Sequence, residues 1–147
     1  MTNATFNVKN GMKSFYSEEA KFNAFSKLSF DSICIGMKYS GTTKWLRINV
    51  KGSSLQDIFQ TGNYIQTSIS RDTWKGLITG SSLQLNCNRQ GFNVKDTAGR
   101  LCARIGYIGN QENECHSPDS FIALGGSTSF ILCSISHLSS VCVHGFL

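Results

Sequence analysis

The sequence predicts a single α+β domain of antiparallel strands, short helices and long irregular connections, fastened by disulfides. Three observations lead there. Two segments alternate apolar and polar residues at the period of a half-buried strand; two others set a hydroxyl residue ahead of a short helical spacing; and six cysteines stand far apart in a chain poor in charge. The length, 147 residues, is that of one domain and is enough to bury a core. With 40% hydrophobic residues, ten Phe and two Trp against 16% charged residues, the composition excludes a disordered chain.

Ile33-Cys-Ile-Gly-Met-Lys-Tyr39 and Trp45-Leu-Arg-Ile-Asn-Val50 are read as two antiparallel strands joined by a hairpin turn over Ser40-Gly41-Thr42-Thr43. In the second, Leu46, Ile48 and Val50 share one face and Trp45, Arg47 and Asn49 the other, so Trp45 is expected to be partly exposed. Ser53-Ser54-Leu-Gln-Asp57 gives a cap with an acidic residue behind it. It opens a helix through Phe59 that Thr61-Gly62-Asn63 ends. Ser70 to Ile78 repeats the pattern, capped by Ser70 or Asp72, with Trp74, Leu77 and Ile78 at helical spacing and Trp74 expected in the core. Leu83 to Cys87 returns to period two, Asn88 to Asn93 reads as a turn-rich connection, and Ala103 to Ile108 as a short apolar strand.

That strand runs into a polar turn gathering Asn110, Gln111, Glu112, Asn113 and Glu114, flanked by Cys102 and Cys115 and followed by Pro118-Asp119 and a second apolar run. Carboxylates and amides at this density repel and compete for water. They are comfortable when solvated as a simple turn, or when a hard cation such as calcium takes six to eight oxygens. The loop is therefore a candidate site for a cation or a sugar.

The fourteen Lys and Arg all lie at or before Arg104, scattered mostly as singles, so the net charge of +5 forms no basic run. With no zinc-finger or RNA-binding aromatic motif either, nucleic acid is not an expected partner. No G-x-S-x-G, H-E-x-x-H, paired-carboxylate helix or phosphate loop is present, and Cys115-His116 are adjacent in sequence without being a productive pair, so no enzyme is expected.

Cys34, Cys87, Cys102, Cys115, Cys133 and Cys142 fit no C-x-x-C pattern and allow fifteen pairings. Their even number and wide spacing point to disulfides in an oxidising compartment, with buried reduced thiols as the alternative. Cys102 and Cys115, bracketing one strand and turn, are expected to lie close together, either paired or each tied to a neighbour. The sequon Asn3-Ala-Thr agrees with secretion, whereas the N-terminal residues contain no leader pattern. From Ser120 to Leu147 no Asp, Glu, Lys or Arg occurs and seven serines do. Gly125-Gly126-Ser127 ahead of an apolar tail has the outline of an anchor signal, but Ser134, Ser136, His137, Ser139, Ser140 and His144 dilute it too far for a membrane span. A metal pair of His137 and His144 with Cys133 or Cys142 is a minor alternative.

Ser32 to Met37, Thr43 to Leu46, Ser53 to Leu55, Gly62 to Tyr64, Arg71 to Ile78, Ser81 to Asn93 and Ala103 to Cys115 together resemble the C-terminal half of fibrinogen-like and intelectin-like domains. The likeness is nearest to versions in secreted cnidarian proteins of the coral skeletal organic matrix type. It covers residues 25–126, after an N-terminal extension over 1–24 and before a divergent serine-rich, uncharged tail over 127–147. The resemblance implies a secreted, disulfide-bonded fibrinogen-like domain fragment that binds carbohydrate or extracellular matrix and performs no chemistry. It also implies a calcium-dependent glycan site, for which Asn110, Glu112, Asn113, Glu114 and Asp119 are the positions to test. The family's front part, with its Cys and Gly-Gly-Trp-type strand, and its acidic, glycine-bearing closing segment have no counterpart here. A structural matrix component without a ligand site is the competing class.

Overall fold

The computed structural model describes residues 23–127 and 141–144; the hairpin predicted around Ser40 is the first long pairing among them, and a three-stranded sheet is built on it. A short helix α1 (Ala24–Lys27) precedes β1 (Phe30–Tyr39), and β2 (Thr42–Gly52) returns antiparallel to it. Ser40 and Gly41 both take positive φ, 47° and 78°. That two-residue left-handed turn matches the twist of the strands it joins, so Thr42 and Thr43 already belong to β2. The third strand, β7 (Val141–His144), lies antiparallel on the other side of β1 and comes from the serine-rich tail.

Helices α2 (Leu55–Gln60) and α3 (Arg71–Lys75) and the short β3 (Ile65–Gln66) connect this sheet to a second one, in which β4 (Asn86–Lys95), β5 (Cys102–Asn110) and β6 (Ser120–Ser127) follow β3 in order, all antiparallel. The chain is thus mostly antiparallel β in two sheets with short helices. Ser54 caps α2, its Oγ accepting from the Asp57 N–H at 3.0 Å, while Ser53 Oγ donates to the Asp57 carboxylate at 2.6 Å. Those hydroxyls, that of Ser53 foremost, hold the Asp57 carboxyl below its ordinary value. In α3 the cap is Ser70 and not Asp72, with Ser70 Oγ accepting from the Thr73 N–H at 3.1 Å. The helix is one turn long; Leu77 and Ile78 follow it in a turn tied by a Leu77 N–H to Trp74 C=O bond of 3.2 Å.

One core joins the two sheets. Ile33, Ile35, Leu46 and Ile48 enter it from the first, Phe92, Ile105, Tyr107 and Leu124 from the second, and Phe59 and Trp74 from the helices. Trp74 is 0% exposed, and its Nε1 donates to Gln90 Oε1 at 3.1 Å. Gln90 is itself satisfied by Thr67, through both its side-chain oxygen and nitrogen, and by Tyr64, whose hydroxyl donates to the Gln90 carbonyl at 3.1 Å. A buried amide with all its partners fixes register as well as filling space.

The stretch expected to be a strand over Leu83 to Cys87 and a turn over Asn88 to Asn93 is instead a single bulged strand that starts at Asn86. Leu83 to Leu85 precede the strand, and β4 runs through Asn88 to Asn93 without a break. Cys87, Asn88, Gly91 and Asn93 all have positive φ, and the register with β5 slips by one residue between Asn86 and Arg89. The Asn and Gly residues that signal turns mark a bulged strand instead. At Gly91 (φ 127°) an added Cβ would stand 2.1 Å from the Ile65 carbonyl oxygen, so β3 can close on β4 only over a glycine.

Of the two alternatives for Cys102 and Cys115, bonded to each other or each tied to a neighbour, the structure has the second. Cys87 is bonded to Cys115 across 28 positions, Cys102 is in another disulfide, and Cys34 is a free thiol. Cys102 opens the nine-residue strand β5, and the loop after its far end folds back so that the Cys115 carbonyl accepts from the Thr97 N–H of the β4–β5 turn at 2.9 Å, while the Cys115 sulfur is bonded to Cys87. Asn3, Cys133 and His137 lie outside the described residues.

Candidate functional site

The Asn110 to Asp119 loop emerges from β5 and is anchored at its middle by the Cys87–Cys115 bond. Asn110, the last residue of β5, is 0% exposed. Its Nδ2 donates to the Glu114 carbonyl at 3.1 Å and to Glu114 Oε1 at 2.6 Å, and its own Oδ1 accepts from the Gln111 N–H at 2.9 Å. Glu114 is the hub. Oε2 accepts from the His116 N–H, and Oε1 accepts from the Ser117 hydroxyl at 2.9 Å and the Ser117 N–H at 3.3 Å. The His116 N–H above all, with the Ser117 and Asn110 donors adding to it against a smaller opposing effect of desolvation, holds the Glu114 carboxyl below its ordinary 4.5.

Asp119 Oδ2 accepts from the Gln111 N–H at 3.3 Å, and Glu112 Oε1 accepts from Gln111 Nε2 at 2.9 Å. Asn113 is exposed. The structure therefore brings Asn110 and Glu114 into contact and leaves Glu112, Asn113 and Asp119 on the rim. Among the described residues no group of three or more His, Cys, Asp or Glu side chains gathers as a metal-ligand set. A cation would find oxygens on Glu112, Asn113 and Asp119, whereas the Glu114 oxygens are already committed to donors of the loop itself.

The hub gives the loop a pH dependence whose sign is fixed. A carboxyl depressed on folding contributes stability that is complete above about pH 4.5 and is lost as the pH falls through its lower folded value. The melting temperature of Glu114→Gln should fall below that of the unsubstituted protein at pH 6 to 7, with the gap narrowing as the pH drops below about 4.5. A gap that does not change with pH would remove the hub's charge from the account.

A second assembly lies on the outer face of the β1–β2 hairpin. Leu46 and Ile48 point into the core, so the alternate positions Trp45, Arg47, Asn49 and Lys51 point away from it, and all four are exposed. The register sets Trp45 opposite Gly36 and Thr43 opposite Lys38, so Lys38 stands diagonally across from the indole. Trp45 is 56% exposed. Between Phe30 and Gly52 there are four basic residues, Lys38, Lys44, Arg47 and Lys51, against the single acid Asp31, a local excess of four minus one, or three, out of the chain's +5. A large aromatic set between cations and an amide can stack on a ring while the cations engage its anionic substituents.

The sequence assigned Trp45, Arg47 and Asn49 to one face but did not join them to Lys38 and Lys51. No local run signals that grouping, since it arises from strand register. The Cys87–Cys115 bond had no signal in spacing at all. Among the described residues no helix is long and apolar enough to cross a membrane. Comparison with known proteins finds no match to a family model, to a curated protein or to a solved structure.

Proposed function

We propose that this domain is a non-catalytic, extracellular binding module for an anionic polysaccharide, held on the outer face of the β1–β2 hairpin. The exposure of Trp45 between Lys38, Arg47 and Lys51 carries the reading, because Trp is strongly buried on average and here it shares a solvent face with cations. The Cys87–Cys115 bond is what an oxidising compartment favours, where sulfated and carboxylated glycans, and not nucleic acids, are the abundant polyanions. The resemblance of residues 25–126 to fibrinogen-like and intelectin-like domains supports a glycan or matrix ligand in general terms. It does not select the hairpin.

Retention on immobilised heparin at near-physiological salt tests this. Trp45→Ala should weaken binding by at least about tenfold, as loss of a central stacking contact does. Neutralising Arg47 and Lys51 together as Gln should lower both the affinity and its dependence on salt. Equal, Trp45-dependent binding of a single-stranded DNA of matched charge would replace the glycan with nucleic acid. Binding unaffected by all three substitutions would refute the surface.

Calcium is not required in this reading, because the Glu114 oxygens are engaged within the loop. Millimolar calcium should leave the melting temperature unchanged. A rise that grows with the logarithm of free calcium, and that disappears in the Glu112→Gln, Asp119→Asn double variant, would instead establish a calcium site on the rim of the loop.

A further inference from the structure

Cys34 is a half-buried free thiol in the middle of β1, and the register with β7 sets it directly opposite Cys142, with Ile33 facing Val143 and Ile35 facing Val141. Ile33 and Ile35 are 0% exposed in the core, so strand alternation puts Cys34 on the outer face of its sheet. Opposite positions of an antiparallel pair share a face, with Cα atoms about 4.5 to 5.5 Å apart. A disulfide spans about 4.4 to 6.8 Å.

The other cysteines are accounted for by side. Cys87 and Cys115 are bonded to each other. Cys102 is in a disulfide, and it alternates on β5 with the core-facing Ala103, Ile105 and Tyr107, which puts it on the outer face of the second sheet. The whole core separates that face from the one carrying Cys34. A bond from Cys102 to Cys142 would have to cross it.

We propose that Cys34 and Cys142 are a cross-strand redox pair whose disulfide fastens β7 to β1. β7 is four residues long and meets β1 at four register positions, so one covalent bond in its middle decides whether this edge of β1 stays covered. The oxidant is a low-molecular-weight disulfide such as oxidised glutathione. The Cys34 thiolate attacks one of its sulfurs and a glutathione thiolate leaves; the Cys142 thiolate then attacks the Cys34 sulfur of the mixed disulfide, and the second glutathione leaves as the protein S–S bond forms. Two protein thiols are oxidised, their two protons pass to the two departing glutathione thiolates, and one glutathione disulfide is thereby reduced to two thiols.

The test is non-reducing peptide mapping of the full chain, reduced, refolded in a glutathione redox buffer and then alkylated. No Lys or Arg follows Arg104, so trypsin leaves Cys115, Cys133 and Cys142 on one peptide, and chymotryptic cleavage after Leu138 is needed to separate Cys133 from Cys142. The expected result is a crosslink between the Cys34 and Cys142 peptides, with Cys102 also protected from alkylation. In the Cys142→Ser variant Cys34 should become fully alkylated while Cys102 stays protected. Cys34 alkylated in the oxidised, unsubstituted protein, Cys34 joined to any other cysteine or to a second copy of the chain, or Cys102 freed by Cys142→Ser would each overturn the proposal. None of these readouts depends on the glycan reading.

Discussion

Replacing Trp74 by Ala should lower the stability of the domain by about 3 to 5 kcal/mol, measured as a shift of the denaturant midpoint at constant slope. The indole is 0% exposed, closes the core between α3 and the second sheet, and donates to Gln90 Oε1 at 3.1 Å. Its removal opens a cavity and takes a partner from a buried amide. Trp74→Phe separates the two effects, since it keeps most of the volume and loses the donor, and its cost should be less than half that of the Ala variant. A near-neutral Trp74→Ala would contradict the core described here.

Breaking the Cys87–Cys115 bond is the second large effect. For a separation of 28 positions the chain-entropy account gives about 3 to 4 kcal/mol, acting mainly on the unfolded chain. Paired Cys87→Ser and Cys115→Ser substitutions should therefore lower the melting temperature by roughly 10 °C. They should also loosen the Asn110 to Asp119 loop, whose middle the bond anchors. Amide hydrogen exchange at His116 and Ser117, whose N–H groups donate to Glu114, would register that loosening. Unchanged protection there would mean that Glu114 holds the loop without the bond.

Where the sequence was legible, local chemistry dictated local structure. Alternation in Trp45 to Val50, the Ser54 and Ser70 caps and the apolar run at Ala103 each depend on neighbours within a few positions, and the structure has them as β2, α2, α3 and β5. The opposite fates of Trp45 and Trp74 follow from the same rules. The misreading of Asn88 to Asn93 has a physical origin, since left-handed backbone is needed equally by a turn and by a bulge, and only pairing with β5 decides between them. Disulfide partners, the return of β7 to β1 and the grouping of Lys38 with Trp45 and Lys51 depend on long-range register, for which composition and spacing contain no term. The polar density of the Asn110 loop is legible from its composition alone. That Glu114 turns inward to close the loop on itself could not be read from the order of residues.

Chemical-shift mapping of the full, oxidised protein titrated with a heparin oligosaccharide locates the glycan surface residue by residue. Saturable shifts are expected to concentrate on Lys38, Trp45, Arg47, Asn49 and Lys51, including the Trp45 indole N–H, with the Gln111 to Asp119 segment unmoved. Shifts confined to that segment, or none at all, would contradict the proposed surface.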